Sequence, residues 1–162
     1  MIIIIPDASI FIALEQASLL NNVFNCGAAI AVPDLIYSQD LEVDNGRYLR
    51  SLGMSILSLT PDEVARAQEL KSKQRSLSLS ECFALVCSLR PNHCILAINK
   101  PLKKEATLRG SMILSLPSLL EQMEKHNVPK HSLASEVECL LSSRYRMTIS
   151  RDEVEEIRKR WQ

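Results

Sequence analysis

The chain has 162 residues, 46% of them apolar, 23% charged and only 4% aromatic, which is the size and make-up of one ordinary globular domain with an aliphatic core. Nineteen lysines and arginines balance nineteen acids. That balance excludes a global basic field for nucleic acid, so binding of any anion must rest on local patches.

Cys26, Cys82, Cys87, Cys94 and Cys139 are odd in number and form no C-x-x-C pair. Cys82 and Cys87 lie inside an apolar run, so the pattern reads as reduced, buried cysteines rather than a disulfide framework or a zinc site. The first apolar run is too short for a signal peptide and lacks a basic leader, and no segment has the length of a membrane span. A cytoplasmic protein is expected.

In chain order, residues 1–5 are a β-branched run suited to a central parallel strand buried on both faces. A helix is expected from Ser9 toward Asn22, a second strand over Cys26–Val32, and helical spacing from Asp34. Asn45-Gly46 reads as a break and Met54–Leu59 as a third strand. Thr60-Pro61-Asp62-Glu63 opens a helix, with Thr60 as cap, Pro61 in the first turn and Glu63 closing a capping box. Ser78-Leu79-Ser80-Glu81 is a second box, before the apolar helix CFALVCSL. Cys94–Ile98 follows as strand four, Lys100–Arg109 as a basic helix ended by Gly110, and Met112–Leu116 as a short fifth strand. Beyond Pro117 the pattern is helical: Ser118–His126, His131–Ser142, and a last helix opened by the box Ser150-Arg151-Asp152-Glu153. Strands alternating with helices imply a mostly parallel sheet of four to five strands with helices on both faces, a three-layer α/β/α fold. Residues 1–126 form the domain, and 127–162 a helical extension that packs on it or projects from it. In the last helix Val154, Ile157 and Trp161 make a narrow apolar stripe for packing within the chain or onto a partner.

Open α/β sheets bind ligands at the carboxyl ends of their strands, so the residues just beyond each strand carry the interest. Asp7 follows strand one; Asn99 and Lys100 follow strand four. Glu81 opens the helix leading into strand four, and Gln39 and Asp40 lie on the helix after strand two. Converging acids repel one another unless a cation holds them, and hard oxygen ligands select Mg²⁺ or Mn²⁺, ions that activate water for phosphodiester cleavage. The plainer roles are helix caps for Asp7 and Glu81, a turn for Asn99 and a solvated face for Asp40. Lys100, Lys103 and Lys104, with Lys71, Lys73 and Arg75, are candidates to flank the cleft and hold RNA phosphates, or else solvated helix faces.

The chain resembles the PIN-domain family, the nuclease fold of VapC-type toxins. IIIIPDASIFIAL is similar to the family's opening strand and Asp, VPDLIYSQDL to its second motif, LSLSECFALVCSL to its Leu-Ser-x-x-acid motif, and ILAINKPLKKEATLRGSMIL to its third. The tail from Ser115 to Ile157 is similar to the helical end of the DUF3368 branch. The resemblance implies a metal-dependent endoribonuclease of the toxin type. Asp7 and Glu81 would bind Mg²⁺ or Mn²⁺, Asp40 and Asn99 would assist, and Ser9 and Gln39 would sit behind them. Its partners would be single-stranded RNA, an antitoxin-like protein and, where it dimerises, a second copy. Two family acids fall on amides, Gln39 and Asn99, which lowers metal affinity and makes catalysis impaired or conditional. The other reading is a PIN-like module that has lost catalysis and binds RNA or protein.

Overall fold

The computed structural model describes residues 1–126, 130–142 and 149–161. Strands β1 (Ile2–Ile4), β2 (Ala29–Pro33), β3 (Ser55–Leu57), β4 (His93–Leu96) and β5 (Met112–Leu114) form one parallel sheet in the order β3-β2-β1-β4-β5. The helices between them are α1 (Ala8–Gln16), α2 (Leu20–Phe24), α3 (Asp34–Ile36), α4 (Gly46–Ser51), α5 (Pro61–Lys73), α6 (Leu79–Ser88) and α7 (Lys100–Leu108). After β5 come α8 (Leu116–His126), α9 (Lys130–Ser142) and α10 (Arg151–Trp161). The three-layer α/β/α class expected from the alternation of elements is the one observed.

Strand periodicity sorts the core into two layers. Side chains alternate across a strand, so Ile3 of the first strand and Ile5 just beyond it, with Cys94 and Leu96 of the fourth and Ile98 just beyond it, join one apolar cluster. Ile4, Ile95 and Ala97 join the other. The first layer is covered by α1, α2, α8, α9 and α10, through residues such as Leu14, Val23, Leu120, Val137 and Ile157. The second is covered by α5, α6 and α7, through Leu70, Leu85 and Leu102. The chain winds outward from β1 to β3, then crosses the other face through α5 and α6 to place β4 on the free side of β1. Changing direction requires changing face if each crossover is to stay right-handed. The strand order therefore reverses between β1 and β4, where Ile4 pairs with Ile95.

Strands two, three and four, expected over Cys26–Val32, Met54–Leu59 and Cys94–Ile98, are Ala29–Pro33, Ser55–Leu57 and His93–Leu96, and three further differences have identifiable causes. The helix expected over Ser9–Asn22 is two helices. Ser18 has φ 59°, Ser18 N–H donates to Glu15 O and Leu19 N–H to Leu14 O. These are the paired bonds of a helix end usually signalled by glycine, here carried by serine. Asn45-Gly46 is not a break but the start of α4. A Cβ on Gly46 would lie 2.7 Å from both Leu41 O and the Tyr37 ring, so glycine lets α4 abut the preceding turn. That turn, Tyr37–Leu41, is π-helical, with Glu42 N–H reaching back to Tyr37 O at 2.8 Å. Leu116, expected at the end of β5, begins α8.

The C-terminal helices pack onto the sheet. Leu133, Val137, Leu140, Ile157 and Trp161 belong to the same cluster as β1 and β4, and Arg160 pairs with Glu121 of α8 at 2.9 Å. The expected boundary after residue 126 borders a stretch, 127–129, outside the described residues, as are 143–148 and Gln162. Among the described residues no helix is long and apolar enough to cross a membrane. All five cysteines are free, and four are buried as expected, but Cys139 is exposed.

Candidate functional site

The reversal of strand order between β1 and β4 opens the crevice where doubly wound sheets bind ligands. Asp7 lies three residues beyond the end of β1 and Asn99 three beyond the end of β4. Each caps the helix that follows. Asp7 is extended (φ −153°, ψ 133°), and its Oδ1 accepts from Ser9 N–H at 2.9 Å. Asn99 Oδ1 accepts from Leu102 N–H at 2.9 Å. Asp7 is exposed, and Asn99 is half-buried.

Glu81 reaches the same edge from α6. Its Oε1 accepts from Ser78 N–H at 2.9 Å while its own N–H donates to Ser78 Oγ at 3.0 Å, completing the expected capping box. Its Oε2 accepts from Asn99 Nδ2 at 2.9 Å. The orientation of the Asn99 amide follows from its neighbours. Turned over, it would set its oxygen against a carboxylate and its NH₂ against a backbone N–H, losing both bonds. Asn99 is thus a bridge: one end caps α7 and the other donates to the Glu81 carboxylate.

The remaining candidates are arranged differently. Ser9 contributes its backbone N–H to Asp7, while its hydroxyl makes no hydrogen bond among the described residues. Gln39 and Asp40 are exposed on the π-helical turn, and neither is hydrogen-bonded to Asp7, Glu81 or Asn99. Among the described residues no three His, Cys, Asp or Glu side chains converge as a metal-holding group. The donor set therefore does not make a preformed cage. Mg²⁺ is commonly held by one or two carboxylates, with waters and substrate phosphates completing its shell; the carboxylates following or facing this edge are Asp7 and Glu81. Thiol chemistry has no place here: burial pushes Cys82, next to Glu81, up to about 11, and Cys87 up to about 12.

No family model, curated protein or solved structure matches the chain.

The lysines divide into two groups. Lys103 Nζ lies 2.8 Å from Glu153 Oε1 of α10, and Lys71 and Lys73 are engaged with the Arg75 and Leu77 carbonyls and with Glu69. Lys100 and Lys104 are exposed and have no hydrogen bond or ion pair among the described residues. They border an open groove of about 450 Å³ with Gln74 and Ser76 on its other side. Glu153 was not anticipated as part of this surface. Ser150-x-x-Glu153 reads as a capping box, but only half of it forms. Glu153 N–H donates to Ser150 Oγ at 3.4 Å, while Ser150 N–H is taken by Ile98 O at 3.2 Å and the Glu153 carboxylate turns to Lys103. The start of α10 is thereby fastened to the residue before Asn99.

Proposed function

We propose that the chain is a PIN-like, metal-dependent endoribonuclease acting on single-stranded RNA in the cytoplasm, its activity conditional on Mg²⁺ or Mn²⁺ arriving with the substrate. The observation that carries this reading is the 2.9 Å contact between Glu81 and Asn99 at the switch point. An amide N–H there gives Glu81 the positive partner that a cation shared between two carboxylates would otherwise give. Asp7, an exposed residue, follows a buried central strand by three positions, with Oδ1 on Ser9 N–H and no hydrogen bond to Oδ2 among the described residues. When bound, the ion would supply an activated water and stabilise the departing oxygen. The chain's own residues position it: Ser78 and Asn99 fix Glu81, and Ser9 N–H fixes Asp7. The resemblance to VapC-type toxins brings an antitoxin-like protein partner and a homodimer within the same reading.

A second reading, an inactive RNA- or protein-binding module, is favoured by one feature. Glu81 has both oxygens in hydrogen bonds, so an ion must compete with them.

Asn99→Asp separates the two. Asp caps a helix as well as Asn, so α7 keeps its start, while a second carboxylate now faces Glu81 and demands a cation. In the nuclease reading, calorimetry shows tighter Mn²⁺ binding and cleavage of single-stranded RNA rises, about tenfold for each 1.4 kcal/mol of transition-state stabilisation. Asp7→Asn in the same background removes the gain. If Asn99→Asp gains neither metal affinity nor cleavage, the binding module replaces the nuclease.

A further inference from the structure

Resting on the RNA-directed reading above, we infer that the groove between α7 and the turn joining α5 to α6 seats a phosphate of the RNA strand on Lys100 and Lys104. The strand then leaves the Glu81–Asn99 edge along α7 rather than across α10. Lys100 directly follows Asn99, so the groove begins where the candidate site ends. Lys100 and Lys104 are one turn apart on the same helix face, about 6 Å along the axis. Their ammonium groups have no partner among the described residues, and the groove, about 450 Å³, has room for a phosphate with its sugar.

The opposite wall is held in shape before any ligand arrives. Lys71 Nζ donates to Leu77 O at 2.7 Å and to Arg75 O at 3.4 Å, and Leu77 N–H closes on Gln74 O at 3.2 Å. This fixes the turn that presents Gln74 and Ser76, whose side chains make no hydrogen bond among the described residues. Glu105, the one acid lining the groove, is 8% exposed and paired with Arg109 at 3.5 Å, so it offers an anion little repulsion. Lys103, between the two groove lysines in sequence, is turned to Glu153 and lies outside the path.

The test is the salt dependence of single-stranded RNA binding in EDTA, which does not depend on catalysis. Each phosphate contact on a single strand contributes about 0.7 to the slope of log affinity against log salt. Lys100→Ala/Lys104→Ala should reduce that slope by about 0.7, the share of one phosphate, and Lys100→Arg/Lys104→Arg should restore it. Lys103→Met with Glu153→Gln, which removes that pair without stranding a charge, should leave the slope unchanged. An unchanged slope in the alanine pair, or an equal loss in the Lys103/Glu153 pair, overturns the groove assignment and leaves the RNA reading standing. A wild-type protein that binds no RNA in EDTA or in Mn²⁺ overturns both. All three variants should match the wild type by circular dichroism before slopes are compared.

Discussion

Among single residues, Glu63 shows most directly how a charge contributes to the fold. Its side chain is buried and receives two bonds from Arg90, Nε to Oε2 at 2.9 Å and Nη2 to Oε1 at 2.7 Å. The Arg90 hydrogen bonds pull its carboxyl from 4.5 to about 2, against the upward push of burial. The difference corresponds to at most roughly 3 kcal/mol. Because the folded value is depressed, the stabilisation is complete above the unfolded value and is lost as pH falls from about 4.5 toward about 2. Urea unfolding at pH 6 should show Glu63→Gln less stable than wild type, with the gap narrowing at pH 4 and further at pH 3. A gap constant down to pH 3 would mean that the ion pair does not carry the difference. Asn99 illustrates the complementary case, a neutral residue where the family resemblance implies an acid. Its two ends satisfy a helix cap and a carboxylate together, which a second carboxylate without a cation cannot do.

At the scale of elements, α10 is joined to the rest by a backbone bond, two ion pairs and an apolar stripe. Glu153 is 7% exposed and its Oε2 has no partner among the described residues, so Lys103 carries its compensation. Removing one partner of such a pair strands a desolvated charge, whereas removing both does not. Lys103→Ala should therefore cost about 2–4 kcal/mol, reduced from the fully buried case because Lys103 is 28% exposed. Lys103→Ala/Glu153→Ala should recover at least about 1 kcal/mol relative to the summed single losses. Denaturant unfolding of the four proteins closes the cycle; additive losses would show that the Lys103–Glu153 pair does not help to hold α10. The π-helical turn after α3 is a second element-level device. Its hydrogen bonds run across one extra residue, so Gln39 and Asp40 do not keep the relation that an α-helix would impose on them.

For the whole molecule, the question is whether the C-terminal helices belong to the domain's cooperative unit. The single tryptophan, Trp161, is 2% exposed and lies in the cluster that contains Ile3 and Leu96. If the sheet and α10 unfold together, tryptophan fluorescence and far-ultraviolet circular dichroism report one coincident transition in urea. A fluorescence transition at lower urea would separate α10 from the sheet. The switch between β1 and β4 is a property at this same scale: no local pattern contains it, yet it sets Asp7 and Asn99 after adjacent strands.

The strand and helix types were legible because they follow from local patterns. β-Branched runs such as Ile2–Ile5 bury both faces, and the boxes at Thr60–Glu63 and Ser78–Glu81 are complete in the structure, since every atom they need lies within four residues. The parallel three-layer class followed from the alternation of those elements. What sequence did not reveal depends on partners distant along the chain. Ser18 ends a helix as glycine usually does, and Gly46 is required by the approach of Tyr37 and Leu41 rather than by a turn of its own. Asp7, Glu81 and Asn99 could be named as candidates from their positions. Whether they meet was decided by register and crossover, and the structure joins Glu81 to Asn99 while leaving Gln39 and Asp40 exposed. The same holds for the lysines. Lys100, Lys103 and Lys104 are equivalent as text, but α10 docks beside β4 and gives Lys103 a buried acid, so charge alone does not say which lysines remain free to meet a ligand.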